Sequence, residues 1–133
     1  MCQNAPMGML DWNEYRKQLA TTIAEIAKLS PDLVKGYRAI AASHATKGTL
    51  DAKTRELIAL AVAVTVKCDG CITVHVEQAR RHGATADEIT DALGVAVMVN
   101  AGAAIVYSAR TLDAFHALPD AAPPQGDASP PRG

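Results

Sequence analysis

Four residues have the types and spacing to do chemistry together. Cys68, Cys71 and His75 stand at i, i+3 and i+7 in the run Cys68-Asp69-Gly70-Cys71-Ile72-Thr73-Val74-His75, and Glu56 lies twelve residues before the first cysteine. On a helix, that spacing draws the two thiols and the imidazole along one stripe. If the cysteines occupy the first turn, the unpaired backbone N–H groups and the positive end of the helix dipole favour a thiolate there. Two cysteines three residues apart can also close a disulfide once one of them has been attacked, which is how a dithiol pair cycles. His75, one turn beyond Cys71, is placed to accept or relay its proton.

The same residues admit two other readings. As small buried hydrophobes beside a satisfied core histidine, they would serve packing alone. As a zinc site, Cys68, Cys71 and His75 would need a fourth ligand from Glu56, His44 or His82, and no second CxxC or HxxxH supplies one. Thiol redox chemistry uses the pattern most fully. Glu56 is the hardest to place: in an ideal antiparallel hairpin it sits several ångströms deeper than His75, and side-chain lean does not help. The spacing permits a contact between them without establishing it. Cys2 reads as an exposed bystander, and His44 as a surface or pocket-edge histidine.

These side chains must be positioned by helices. Asp11 reads as an N-cap with Glu14 completing a capping box, Leu10 and Tyr15 stand at staple positions, and Leu19, Ile23, Ile26 and Leu29 form an apolar stripe. Ser30-Pro31 restarts the chain, because serine can cap and proline is tolerated at the first helical position. The second helix carries Leu33, Val34, Tyr37 and Ile40 and is expected to end near Lys47-Gly48. Asp51 caps a third helix, from Ala52 to about Lys67, that is apolar on almost all sides and therefore central, with Arg55 and Glu56 at its entry. A fourth runs from near Asp69 to Arg81-His82 and stops at Gly83. Thr85 and Glu88 form another capping box and open a fifth helix, which Asn100-Ala101-Gly102 is expected to break or kink, giving a final helix to about Phe115 or Leu118. His44, Tyr37 and Tyr107 are pocket-lining candidates.

Composition bounds the rest. A chain of 133 residues is one domain with a core large enough to fold without staples. Its residues are 49% hydrophobic but only 4% aromatic, and with alanine used heavily this favours closely packed helices over sheets. The expected fold class is all-α, a single helical bundle of about six helices over residues 10–118, with a loose arm at 1–9 and a disordered Pro/Gly-rich tail at 119–133. A net charge of −1 points to neither nucleic acid nor an acidic membrane surface. Three cysteines, only two of them close together, suit a reducing compartment better than a secreted disulfide framework. The first nine residues lack a basic stretch followed by an apolar run, and Ala92–Ala109 falls short of a convincing span, so a cytoplasmic, non-membrane protein is expected. The run Ala92–Val106 is apolar all round, more than one small copy can cover, which predicts a homo-oligomer.

Glu56, eleven residues, then Cys68-x-x-Cys71-x-x-x-His75 resembles the signature of the alkylhydroperoxidase D-like branch of the carboxymuconolactone decarboxylase family. The entry Asp51-Ala52-Lys53-Thr54-Arg55-Glu56-Leu57-Ile58 and the segment Gly83-Ala84-Thr85-x-x-Glu88-Ile89 are similar to that family too, and the likeness covers roughly residues 30 to 116. The resemblance implies an all-α fold assembled as trimers or hexamers and a peroxidase or disulfide-reductase cycle with no bound cofactor or metal. In it Cys71 attacks the peroxide, Cys68 supplies a proton and resolves the sulfenic acid, and His75 and Glu56 form the proton relay. It further implies a lipoyl-bearing reductant and, in some members, a peroxiredoxin partner. This chain has Gly70 where the best-studied type has a histidine, and one helical unit where that type has two. A redox-sensing or scaffold oligomer and a lactone decarboxylase are the alternatives; the decarboxylase branch lacks the cysteine pair.

Overall fold

The computed structural model describes residues 8–43 and 48–120, and these contain five α-helices and no strand. They are α1 (Trp12–Leu29), α2 (Pro31–Ala42), α3 (Ala52–Thr65), α4 (Asp69–Arg81) and α5 (Ala86–His116). The all-α expectation holds. Cys2, His44, most of the N-terminal arm and the tail beyond Asp120 lie outside the described residues.

Four of the five described helices start where a side chain takes up an orphan N–H. Asp11 accepts from the Glu14 N–H at 3.0 Å and Asp51 from the Thr54 N–H at 2.7 Å. At α5 the box closes in both directions: Thr85 Oγ1 accepts from the Glu88 N–H at 3.1 Å, and Glu88 Oε2 accepts from the Thr85 N–H at 2.9 Å. Two expected caps differ. The Glu14 carboxylate accepts from Gln18 rather than completing the box on Asp11. Ser30 makes no side-chain cap; Pro31 in the first turn already lacks one of the N–H groups a cap would satisfy.

Two helices end in the same motif with different residues. After α4, Gly83 takes φ +83° and the Ala84 N–H reaches back to the Ala79 carbonyl at 2.9 Å. After α3, Lys67 takes φ +57° and the Cys68 N–H reaches the Ala63 carbonyl at 3.0 Å. Both are Schellman closures, and glycine fits the left-handed position without the penalty a lysine carries there. The second closure turns the chain sharply enough for α4 to fold back on α3.

The helices that meet are α3 with α4, α1 with α2, and α1 with α4. Leu60 and Ala63 of α3, Ala79 and Thr73 of α4, Val34 of α2 and Ala96 of α5 are buried. Mostly small residues, they let the helices approach closely, and among the described residues Leu60 is the one large side chain fully enclosed. Truncating it to alanine would cost about 2–5 kcal/mol. The expectation that α3 is central holds for one side only, since Ile58 and Val62 are about half exposed. α2 ends at Ala42, short of the expected Lys47-Gly48; residues 44–47 are outside the described set.

The chain separates into two compact units, Met1–Val97 and Met98–Gly133. The expected break at Asn100–Gly102 is absent, because α5 continues through it for 31 residues. A helical glycine costs about 1 kcal/mol relative to alanine, and the neighbours Ala101, Ala103 and Ala104 are the best helix formers. In the second unit every described residue from Met98 to Asp120 is exposed. By length and composition alone α5 also suffices to cross a membrane, with a window of mean hydropathy 1.8, a property shared by core helices of soluble proteins.

Candidate active site

The site is built on the α3–α4 hairpin. Cys68 is the N-cap of α4 and Cys71 lies in its first turn, as the spacing predicts. The sulfurs are joined in a disulfide with the Cα atoms 5.2 Å apart, so the structure describes the oxidised pair. Cys68 Sγ also accepts a hydrogen bond from the Cys71 N–H at 3.1 Å. It does for α4 what Asp11 and Asp51 do for α1 and α3: it satisfies an N–H three residues on. A thiolate released at Cys68 would keep that donor and the helix dipole. Both cysteines are half-buried, within reach of a small molecule from solvent.

One turn below Cys71, His75 Nδ1 lies 2.7 Å from Glu56 Oε2. This contact is the one that ideal hairpin geometry left open. Counted from the helix ends, Glu56 lies about three residues deeper than His75, or roughly 4.5 Å at the helical rise, and the glutamate side chain spans that offset. With the Glu56 carboxylate accepting from Nδ1–H, the lone pair on Nε2 is free to take a proton. The side chains are 33% and 19% exposed for His75 and Glu56, so the pair is partly shielded from water. Arg55, next in sequence, turns the other way and donates to the Leu50 carbonyl.

Beside the hairpin, Lys53 Nζ and Glu88 Oε1 are 2.7 Å apart and tie the first turn of α3 to that of α5. This hydrogen-bonded pair raises the Lys53 pKa and lowers that of Glu88, with the Thr85 N–H lowering Glu88 further. The backbone N–H of Thr54 likewise holds Asp51 below the usual carboxylate range.

On the opposite flank α1 lies along α4. Arg16 Nε donates to Thr73 Oγ1 at 3.2 Å and its Nη1 is 3.3 Å from Glu77 Oε2, while Arg81 pairs with Glu77 at 2.7 Å. Leu19 comes up against Gly70. Arg16, Leu19 and Thr73 carry no catalytic signature, and spacing alone does not bring them to the site. Of the other candidates, His82 is exposed at the end of α4, and Tyr37 and Tyr107 are two-thirds exposed on α2 and α5. Among the described residues no three His, Cys, Asp or Glu side chains converge as a metal set.

The family model of the carboxymuconolactone decarboxylase family matches residues 31–114, from the start of α2 almost to the end of α5. This chain belongs to that family. The member is 46% identical over 105 residues to an uncharacterized protein of Haemophilus influenzae, covering 79% of this chain and 93% of the relative. Among solved structures it is similar to the apo form of a carboxymuconolactone decarboxylase family protein from Legionella pneumophila, with 36% identity, a TM-score of 0.63, and coverage of 79% of this chain and 94% of the other. A protein from Methanobacterium thermoautotrophicum superimposes with a TM-score of 0.60 at 27% identity, over 65% of this chain and 97% of that one. Membership accounts for the helical fold and is consistent with an enzyme of the decarboxylase or peroxidase kind.

Proposed function

We propose that this family member is a thiol-dependent oxidoreductase that reduces organic or hydrogen peroxides. The observation that carries the reading is the disulfide across the first turn of α4 with a hydrogen-bonded His75–Glu56 pair one turn further on. A lactone decarboxylase has no use for a paired Cys68 and Cys71.

In the reduced protein His75, oriented by Glu56, takes the Cys71 proton. The thiolate attacks one peroxide oxygen; an S–O bond forms, the O–O bond breaks, and the other oxygen leaves as alcohol or water after taking up a proton. Cys68 then attacks the Cys71 sulfenic acid, the S–S bond forms and water departs. One peroxide has taken two electrons from two thiols. Return to the dithiol needs a dithiol reductant, which the resemblance suggests is a lipoyl-bearing protein. Attack on Cys71 Sγ would release Cys68 as a thiolate into its N-cap hydrogen bond, the better leaving group of the two.

The reading includes self-association. Large apolar side chains stay more than half exposed on α2 (Leu33, Ile40), α3 (Val62) and α5 (Val97, Ile105, Val106). A single membrane-spanning helix would leave the α2 and α3 surfaces uncovered, whereas further copies of the chain can cover all three.

The test is a thiol count before and after one equivalent of peroxide. Wild type should lose two thiols per peroxide, and Cys71→Ser should stop peroxide consumption with a dithiol donor. Full activity in Cys71→Ser would end the proposal.

A further inference from the structure

The contact between Leu19 and Gly70 bears directly on the dithiol loop. An ideal Cβ at residue 70 would lie 3.0 Å from Leu19 Cδ2 and 3.8 Å from Cδ1. A side chain at position 70 would therefore press on the Leu19 methyl groups, which would have to give by a few tenths of an ångström. Residue 70 is inside the small ring closed by the disulfide, immediately before Cys71, whose N–H makes the cap bond to Cys68 Sγ. The approach is held in register by a second contact three residues away on each helix: Arg16 on Thr73, which is 3% exposed, and on Glu77. Two anchors thus align α1 along the first turns of α4, one of them on the redox loop. Numbering the α4 stripe by helical angle puts Gly70, Thr73 and Glu77 on the side away from Cys71 and His75.

We infer that Leu19 is a positioning residue for the Cys68–Cys71 couple, holding the loop in its disulfide-closed form and leaving the His75 side for approach by substrate and reductant. The inference rests on the pair cycling between disulfide and dithiol, as the proposed function requires. Reduction by glutathione consumes two glutathione thiols: the first attacks a protein sulfur, the second resolves the mixed disulfide, and two cysteine thiols and one glutathione disulfide result. Opening the S–S bond releases the constraint on residues 68–71, so a contact made to the closed ring favours the oxidised form. A packing role equal in both redox forms would lower stability without moving the equilibrium.

The test is the equilibrium of the purified full chain with reduced and oxidised glutathione, read by alkylation and mass. Leu19→Ala should shift the equilibrium constant about 3- to 10-fold toward the dithiol, up to about 30 mV for a two-electron couple. Gly70→Val, which drives Leu19 off the loop, should shift it in the same direction. Gly70→Ala should have a smaller effect in the Leu19→Ala background than in wild type. Ile23→Ala, a comparable truncation one turn further along α1, should stay within about twofold of wild type. Thermal melts of each variant in both redox forms identify any that fails to fold, and Gly70→Val and Leu19→Ala can each stand for the other. An unchanged equilibrium in Leu19→Ala, or an equal shift in Ile23→Ala, overturns the inference while the dithiol reading stands. A wild-type pair that does not equilibrate at all overturns both.

Discussion

Replacing Glu56 with glutamine probes the relay with little change of shape. The amide oxygen can still accept from His75 Nδ1–H, so the ring keeps its tautomer and loses only the negative charge 2.7 Å away. With charge centres about 4 Å apart, the attraction is about 1 kcal/mol at the dielectric of water and about 4 kcal/mol at an effective value of 20. Because the two side chains are 33% and 19% exposed, solvent screening selects the lower half of that range, about 1–2 kcal/mol. That energy favours the state in which His75 holds the proton of Cys71. Its loss should slow thiolate-dependent reactions about 5- to 30-fold, at roughly 1.4 kcal/mol per tenfold.

The assay is bromobimane alkylation of Cys71 at pH 7 in a Cys68→Ser background, where no disulfide can form, followed by peroxide-dependent loss of the same thiol. His75→Ala should slow the peroxide reaction by about 10²- to 10⁴-fold, the usual range for a positioned proton carrier. Because Glu56 acts through His75, the double variant should be no slower than His75→Ala alone. Glu56→Gln reacting at the wild-type rate, or losses that simply multiply in the double variant, would refute the relay.

Several other changes have defined outcomes. Cys68→Ser should still react once with peroxide and stall with Cys71 as a sulfenic acid, detectable by dimedone and mass. Asp51 and Glu88 have pKa values below their ordinary ones, so the folded chain binds fewer protons than the unfolded one in that range. Their stabilisation is therefore present above about pH 5 and lost as pH falls through about 4 and below, and the melting temperature should drop there. Glu88→Gln should keep the capping box but flatten that drop, because glutamine can still cap while no longer titrating. Lys53, raised by the same pair, contributes stability present below its ordinary pKa and lost as pH rises beyond it. Lys67→Gly should raise stability by about 1 kcal/mol, relieving a left-handed residue at the α3 Schellman turn, read by urea melts. Light scattering should give a mass well above one chain, and Val106→Asp should lower it; a monomeric wild type would contradict the oligomer.

What could be read from the amino-acid order was mostly local. Asp51 and the Thr85/Glu88 box announce helix starts because the capping bond spans only three residues, and Gly83 announces a stop because its φ is one that other residues avoid. Cys68, Cys71 and His75 were legible as a group for the same reason: a single helix places them. The Lys67 turn gave no such signal, since lysine is a poor occupant of that position and only the folded hairpin holds it there. The break expected at Gly102 failed because one glycine is too weak to outweigh the alanines around it.

Contacts between helices were legible only where a residue could be argued to have a job. Glu56 could be suspected of meeting His75, but their depth difference is small enough for a long side chain to span and too large for spacing alone to decide. Leu19 and Gly70 show the opposite limit. A leucine in an apolar stripe and a glycine between two cysteines each have an ordinary explanation. Their meeting depends on the register between α1 and α4, which Arg16 and Thr73 hold. That register sets which α1 side chain faces Gly70, between the two cysteines. The environment of the redox pair is therefore set from two directions, by Glu56 and His75 across the hairpin and by an apolar side chain from a helix nearly fifty residues earlier in the chain. Truncating Leu19 should alter the disulfide equilibrium while leaving the relay intact, and a change at Glu56 should slow thiolate chemistry with little effect on that equilibrium.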